Sequence, residues 1–333
     1  LRLDRGNSFI DGWALFTCGD LEITGSAGIV DGNVYSGGDL TINRSEAIVK
    51  GDAMARGSIT FTGSGSITGN AISDDNDEGP SANAITASSN QNLGLVRVGG
   101  YAANRLGAPT LFESQVGGGI RHDPAFYDIP EYCEGDLLNA LMITEPFDSD
   151  AIPYPDGVDD TYAEEWQGDM HTTGSGGLDG YDPGTYHFID GNATIEGGTF
   201  EGEYYVNGDL TVAGNYAGNA TFYVKGSLAV QGDTSSTATS TTKPEDSDAT
   251  NHVYVVNGDT VLQGGSTIDG LIYTNGNITA RGNAVVNGGV IAIGTGGVTG
   301  SLAVNYRPLS NEVSVPNETL QDYTVRRWRI IAN

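Results

Sequence analysis

The chain has 333 residues, among them 50 Gly and 11 Pro, with 38% apolar residues and a net charge of −28 from 43 acidic and 15 basic side chains. Glycine in this amount without a triplet period excludes collagen, and the apolar share suits a thin, punctuated core better than a compact enzyme. A surface this acidic excludes nucleic acid as a partner, because phosphate binding needs a basic stripe, and it suits a saline, extracellular setting.

The first elements in chain order are a repeat. Gly19-Asp20-Leu21-Glu22-Ile23 returns as Gly38-Asp39-Leu40-Thr41-Ile42 and as Gly57-Ser58-Ile59-Thr60-Phe61, a period of 19 residues (38 − 19 = 57 − 38). Between the copies a second unit recurs, Ile29-Val30-Asp31-Gly32-Asn33-Val34, then Ile48 to Ala53 and Ile67 to Ala71, and Ile10 to Ala14 reads as a degenerate first copy. The inward candidates of one period are Leu21, Ile23, Ile29 and Val34, short β-type clusters that no helical period fits. One such coil cannot bury its own aliphatic side chains, whereas stacked coils about 4.8 Å apart pair every backbone group and line Leu, Ile and Val into ladders. The expected fold is all-β, a parallel β-helix of about 17–20 residues per coil, over 1–73.

From 74 to 185 the repeat lapses, and this segment is expected to be an irregular, partly helical excursion or cap packed on the solenoid. It opens on Ser-Asp-Asp-Asn-Asp-Glu-Gly, which sets Asp74, Asn76 and Glu78 at alternate positions, as in the first half of an EF-hand loop. The twelfth position is Ile85 and not Glu, so an acidic exit turn is the plainer reading beside a calcium site. A second acidic group, Asp148, Asp150, Asp156, Asp159 and Asp160, carries the same two readings. Leu137, Leu138, Ala140 and Leu141 predict a short helix. Cys18 and Cys133 either form one staple or stand as two buried thiols.

The repeat resumes over 186–306 with Asn192, Asn207-Gly208-Asp209-Leu210, Gly226-Ser227-Leu228, Asn257-Gly258-Asp259 and Asn275-Gly276-Asn277-Ile278, broken by a Ser/Thr-rich loop at 232–251 that is expected to be mobile. Asn-x-Ser/Thr triplets such as Asn192-Ala193-Thr194 read as coil turns before they read as glycan acceptors. Residues 307–333 predict a terminal strand or cap. Open solenoid ends invite pairing, so a homopolymer through the ends or through this strand is expected.

Chemistry is sparse. Asp159-Asp160, Glu164-Glu165 and His122-Asp123 are the acids that a polysaccharide-cleaving β-helix could use, without a paired spacing that sets them apart from solvated acids. His122, His171, His187 and His252 lie at no metal-ligand spacing. No catalytic residues and no required cofactor are expected. No run of 18 apolar residues predicts a membrane span, and because the chain opens on Leu1 a preceding signal or anchor is expected.

From Leu178 onward, the entry Pro183 to Tyr186, the coil Tyr205 to Leu210, the Ile-Tyr-Thr-Asn-Gly coil at 272–276 and the exit Asn305-Tyr306 resemble bacterial type IV pilus-associated, minor-pilin-like surface proteins whose exported part is a β-solenoid. The front copies at 19–72 are similar, and the segment 74–185 is outside the resemblance. A looser similarity is to the polymer-forming bactofilins. The resemblance implies an extracellular structural or adhesive component of a cell-surface appendage, with pilus components or a surface polysaccharide as partners, and no catalytic residues to carry over. It also implies an N-terminal pilin-type helix, which this sequence lacks. The alternative is a polysaccharide-binding or polysaccharide-degrading β-helix.

Overall fold

The computed structural model describes residues 13–24, 28–43, 48–61, 66–73, 186–231 and 252–306, with short pieces at 85–87, 97–98, 102–104, 120–121, 133, 163–167 and 170–172. Among the described residues every regular element is a strand and the strands stack in parallel, so the chain is a β-solenoid. Leu21, Leu40 and Ile59 pair directly in one column, fully buried, with Ile23, Ile42 and Phe61 in the next inward column. Each buried aliphatic side chain contributes about 1.5–3 kcal/mol.

Each coil has three faces. In the first full coil, Trp13–Thr17 lies on the first, Leu21–Ile23 on the second and Ile29–Asp31 on the third. In the later half, single strands such as Leu210–Val224 and Ile278–Ala292 run round the corners without a break. The corner from third face to first is set by Gly270 and Gly288, paired with each other, with φ of 151° and 157°. A Cβ on either would fall on the carbonyl of the coil below, His252 for Gly270 and Gly270 for Gly288.

On the third face the alternation runs opposite to the sequence expectation. Val30 is in the core, and Ile29 points outward, 37% exposed. Ile48 and Val49 repeat the choice, with Val49 buried and Ile48 half-buried. Two adjacent β-branched residues leave a two-residue period ambiguous.

The Gly-Asx unit has a mechanical cause. Asp20 Oδ1 accepts the Asp39 backbone N–H at 2.9 Å, Asp39 Oδ1 accepts that of Ser58 at 2.7 Å, and Asn192, Asp209, Asp259 and Asn277 do the same in their coils. Each carboxylate or amide lies across the glycine of the next coil, so a Cβ at Gly38 would fall on Asp20 Oδ1. A second ladder, Asn33 to Asp52 to Asn70, repeats the device one corner on. Gly38→Ala is expected to cost about 1–3 kcal/mol through overpacking, and Asp39→Ala about 1 kcal/mol through the orphaned N–H of Ser58; urea midpoints of the two variants check both values.

The coils are not stacked in chain order. The last described coil lies directly on the first: Leu15, Phe16 and Thr17 pair with Val290, Ile291 and Ala292; Leu21 and Ile23 with Gly296 and Val298; Val30 with Val304. The opposite edge of the same first coil pairs with Asn33–Ser36 and Leu40–Ile42. The two repeat blocks therefore form one continuous stack whose middle joins residues nearly 280 positions apart.

Coil strands also reach into 74–185 from both sides. Ile85–Ala87 sits on Ile59–Phe61, Ala102–Asn104 on Ala71–Ser73, and Ile120–Arg121 on Ala102–Asn104; at the far end Ala163–Gln167 sits on Tyr186–Asp190. Among the described residues these pieces are the outermost rungs. Ser301–Tyr306 has both edges occupied, by the strand Ile278–Ala292 and by Ile29–Asp31. The terminal strand expected at 307–333 and the helix expected at 137–141 lie outside the described residues.

Candidate functional site

The three faces differ in what they offer a partner. On the first, both alternating columns are buried. Leu15, Val34, Tyr204 and Phe222 face inward, and the outward residues of the same strands, Phe16, Tyr35, Tyr205 and Tyr223, are also at most 4% exposed. The outward rings stack, Phe16 on Tyr35 at 4.5 Å and Tyr205 on Tyr223 at 4.7 Å between centroids. Cys18, which follows the strand of Phe16, is bonded to Cys133, so the staple reading is the one the structure adopts. Among the outward acids, Glu203 has its carboxyl pushed up by burial, partly offset by the Tyr205 hydroxyl that donates to it at 3.2 Å.

The second face is open. Its strands are short triplets whose first and third residues point inward, as in Leu40-Thr41-Ile42, so the middle residues form one outward row. In stack order that row is Thr194, Thr211, Ala229, Val261, Thr279, Gly297, Glu22, Thr41 and Thr60, in direct register through the junction. At about 4.8 Å per rung its length is on the order of 40 Å. Five of these nine positions are Thr and Glu22 is the exposed one; the register continues beyond them to an exposed His171 at one end and to Thr86 at the other. The threonines are short and, being β-branched, restricted at χ1, which stiffens the row; Gly297 and the longer Glu22 interrupt them at the junction. The Asx ladder runs beside it, with Asp209, Asp259, Asp20 and Asp39 each committing one oxygen to a backbone N–H.

The third face carries Val285, Ala303, Ile29 and Ile48 beside a polar ladder. Asn287 donates to Asp269 at 2.5 Å, Asn305 to Asn287 at 2.7 Å, and Lys50 to Asp31 at 2.9 Å. These amides and charges satisfy one another along the stack, which leaves the second face as the better presented surface.

Of the residues singled out from sequence, Asp74, Asn76 and Glu78 lie outside the described residues, as do His122, Asp123, the acids at 148–160 and the loop 232–251. Glu164 and Glu165 fall in the strand Ala163–Gln167, paired with His187 and Phe188. Among the described residues no group of three or more His, Cys, Asp or Glu could hold a metal ion, and no helix is long and apolar enough to cross a membrane. The histidines part company: His171 is exposed and 3.1 Å from Glu196, His187 is buried and stacked on Tyr204, and His252 is buried beside Tyr216. Asn192 and Asn277 act as turn caps, as read from sequence. The threonine row was missed, although its signal is present: each Thr is the second residue after a Gly-Asx or Gly-Ser pair, as in Gly-Asp-Leu-Thr-Ile.

No protein-family model matches the chain, and no curated protein is similar to it in sequence. Among solved structures it is similar to an ice-binding protein from an Antarctic bacterium of the Flavobacteriaceae, at 12% identity over 89% of this chain and 97% of that one, with a TM-score of 0.28. At that score the likeness carries no argument about function.

Proposed function

We propose that the chain is an extracellular, non-catalytic adhesive rod, a component of a bacterial surface appendage of the type IV pilus kind, that lays its second face along a repetitive neutral polysaccharide. The observation that carries this is the outward row from Thr194 to Thr60, which runs through the junction in register. A rigid, repeating array engages a repeating partner at many points for little ordering entropy. The net charge of −28 disfavours uronate polymers and favours uncharged chains such as cellulose or chitin.

Co-sedimentation with cellulose, chitin, alginate and ice, with and without calcium, tests it. Wild type is expected on a neutral glycan, with affinity falling at least tenfold in Thr41→Tyr/Thr60→Tyr, whose rings break the row, and unchanged in Ser66→Tyr on the third face. Failure to bind any glycan, or equal binding by the row variant, overturns the reading. New reducing ends or unsaturated product, lost on mutating Asp159 or Asp160, would put the degradative alternative in its place.

A further inference from the structure

On the third face Asn215 to Ala220 pairs with Gly197 to Gly202, and Thr267 to Asp269 pairs with Val285 to Asn287; the chain between Gln231 and His252 lies outside the described residues. Of seven buried side-chain atoms without a hydrogen-bond partner among the described residues, three belong to His187, Thr260 and Tyr273, and four lie around this interval. These four are the hydroxyl of Tyr216 on one side, the hydroxyl of Ser266 on the other, and both ring nitrogens of His252, which opens the strand after the interval. All three residues are buried, with 4%, 0% and 1% exposure.

His252 is the unusual member. Its strand His252–Val256 points His252, Tyr254 and Val256 inward, and its register partners Gly270 and then Gly288 carry no side chain, which leaves room for the imidazole in the core. The ring stands edge-on to Tyr216 with centroids 4.6 Å apart. The strands packed against it are Leu210–Val224 and Thr267–Thr274. Of their titratable groups, Tyr223 and Tyr273 lie on the outward column of the first face, and Asp269 accepts from Asn287 on the outer surface. Tyr216, with Tyr254 on its own strand, is what faces the imidazole among the described residues, and no carboxylate does.

We propose that His252 is an acid-sensitive latch: neutral and sealed in the core while the solenoid is closed, it takes up a proton only when its coil loosens, so acid opens the stack first at this rung. Among the described residues no anion faces a charged imidazole in this site, and the Ala220 backbone alone opposes the cost of burying it. Burial pushes its pKa down to about 4, partly offset by the Ala220 backbone, which favours the protonated form. The unfolded chain then binds more protons than the native one between pH 6.5 and about 4. This contribution to stability is whole above pH 6.5 and is lost as pH falls through that window.

The test compares wild type with His252→Phe at pH 7 and pH 4.5. The wild-type unfolding constant is expected to rise roughly 50-fold more than that of the variant over this interval, and amide exchange at pH 4.5 is expected to appear first in 252–256 and 267–274 of the wild type alone. Parallel pH profiles overturn the latch. Should the variant not fold, proton NMR of the native chain decides: a His252 titration midpoint near 6.5 overturns the proposal, and one below 5 supports it.

Discussion

Phe222→Ala is expected to lower the stability of the solenoid by about 3–5 kcal/mol, the usual cost of emptying a buried aromatic site. Phe222 is 1% exposed and sits in an interior stack, 5.1 Å from Tyr204 on one side and 5.5 Å from Tyr254 on the other, with Phe200 at 6.0 Å. The coils above and below hold one another through parallel ladders, so the walls of the cavity cannot collapse inward without breaking register. The loss should therefore fall at the upper part of the range, and it should spread to the neighbouring coils because each rung is stabilised mainly by the two it touches. Urea denaturation followed by tyrosine fluorescence measures it. Thr211→Ala, on the second-face part of the same strand Leu210–Val224, is expected to stay within about 0.5 kcal/mol.

Loss of the Cys18–Cys133 bridge is expected to be as costly. The two residues are 115 apart in sequence, and a closed loop of that length restricts the unfolded chain by about 5 kcal/mol in the chain-entropy account. Cys18 also belongs to the junction coil, where its N–H donates to the Ala292 carbonyl at 2.9 Å. Cys133→Ser should lower the urea midpoint to that of reduced wild type, and exchange protection should fall at Gly19 and Thr24, whose N–H groups reach across to Gly294 and Val298. Equal midpoints for wild type with and without reductant would mean that the bridge contributes nothing.

The coil itself was legible. A 19-residue period, a two-residue alternation and a Gly-Asx turn specify strands, corners and the column of Leu21, Leu40 and Ile59, because each is a local requirement of one rung and its neighbour. The joining of Val290 to Leu15 was not legible for the same reason. Every rung presents the same backbone edge and the same aliphatic ladder, so nothing in Leu15 itself names Val290 as its partner. Ile29 misled because Val30 beside it is equally apolar. The burial of Phe16 and Tyr35 on an outward column was hidden too, since an alternating pattern assumes one wet side. In the site, the threonines were visible as residues and invisible as a row until the stacking order was known. The calcium reading of Asp74, Asn76 and Glu78 and the acids at 159–160 fall where the described residues stop.

The out-of-order joint has a consequence during translation. Residues 13–73 leave the ribosome long before Ile278 to Tyr306, the only described segment that covers their lower edge. At about 5–20 residues per second the wait lasts on the order of 10–50 s. Through that interval the early half is an unprotected parallel edge of Leu15, Leu21 and Val30, a template for any second nascent chain. Secretion machinery that keeps the polypeptide extended until its tail has emerged would spare it that encounter, and crowded cytoplasmic expression would not.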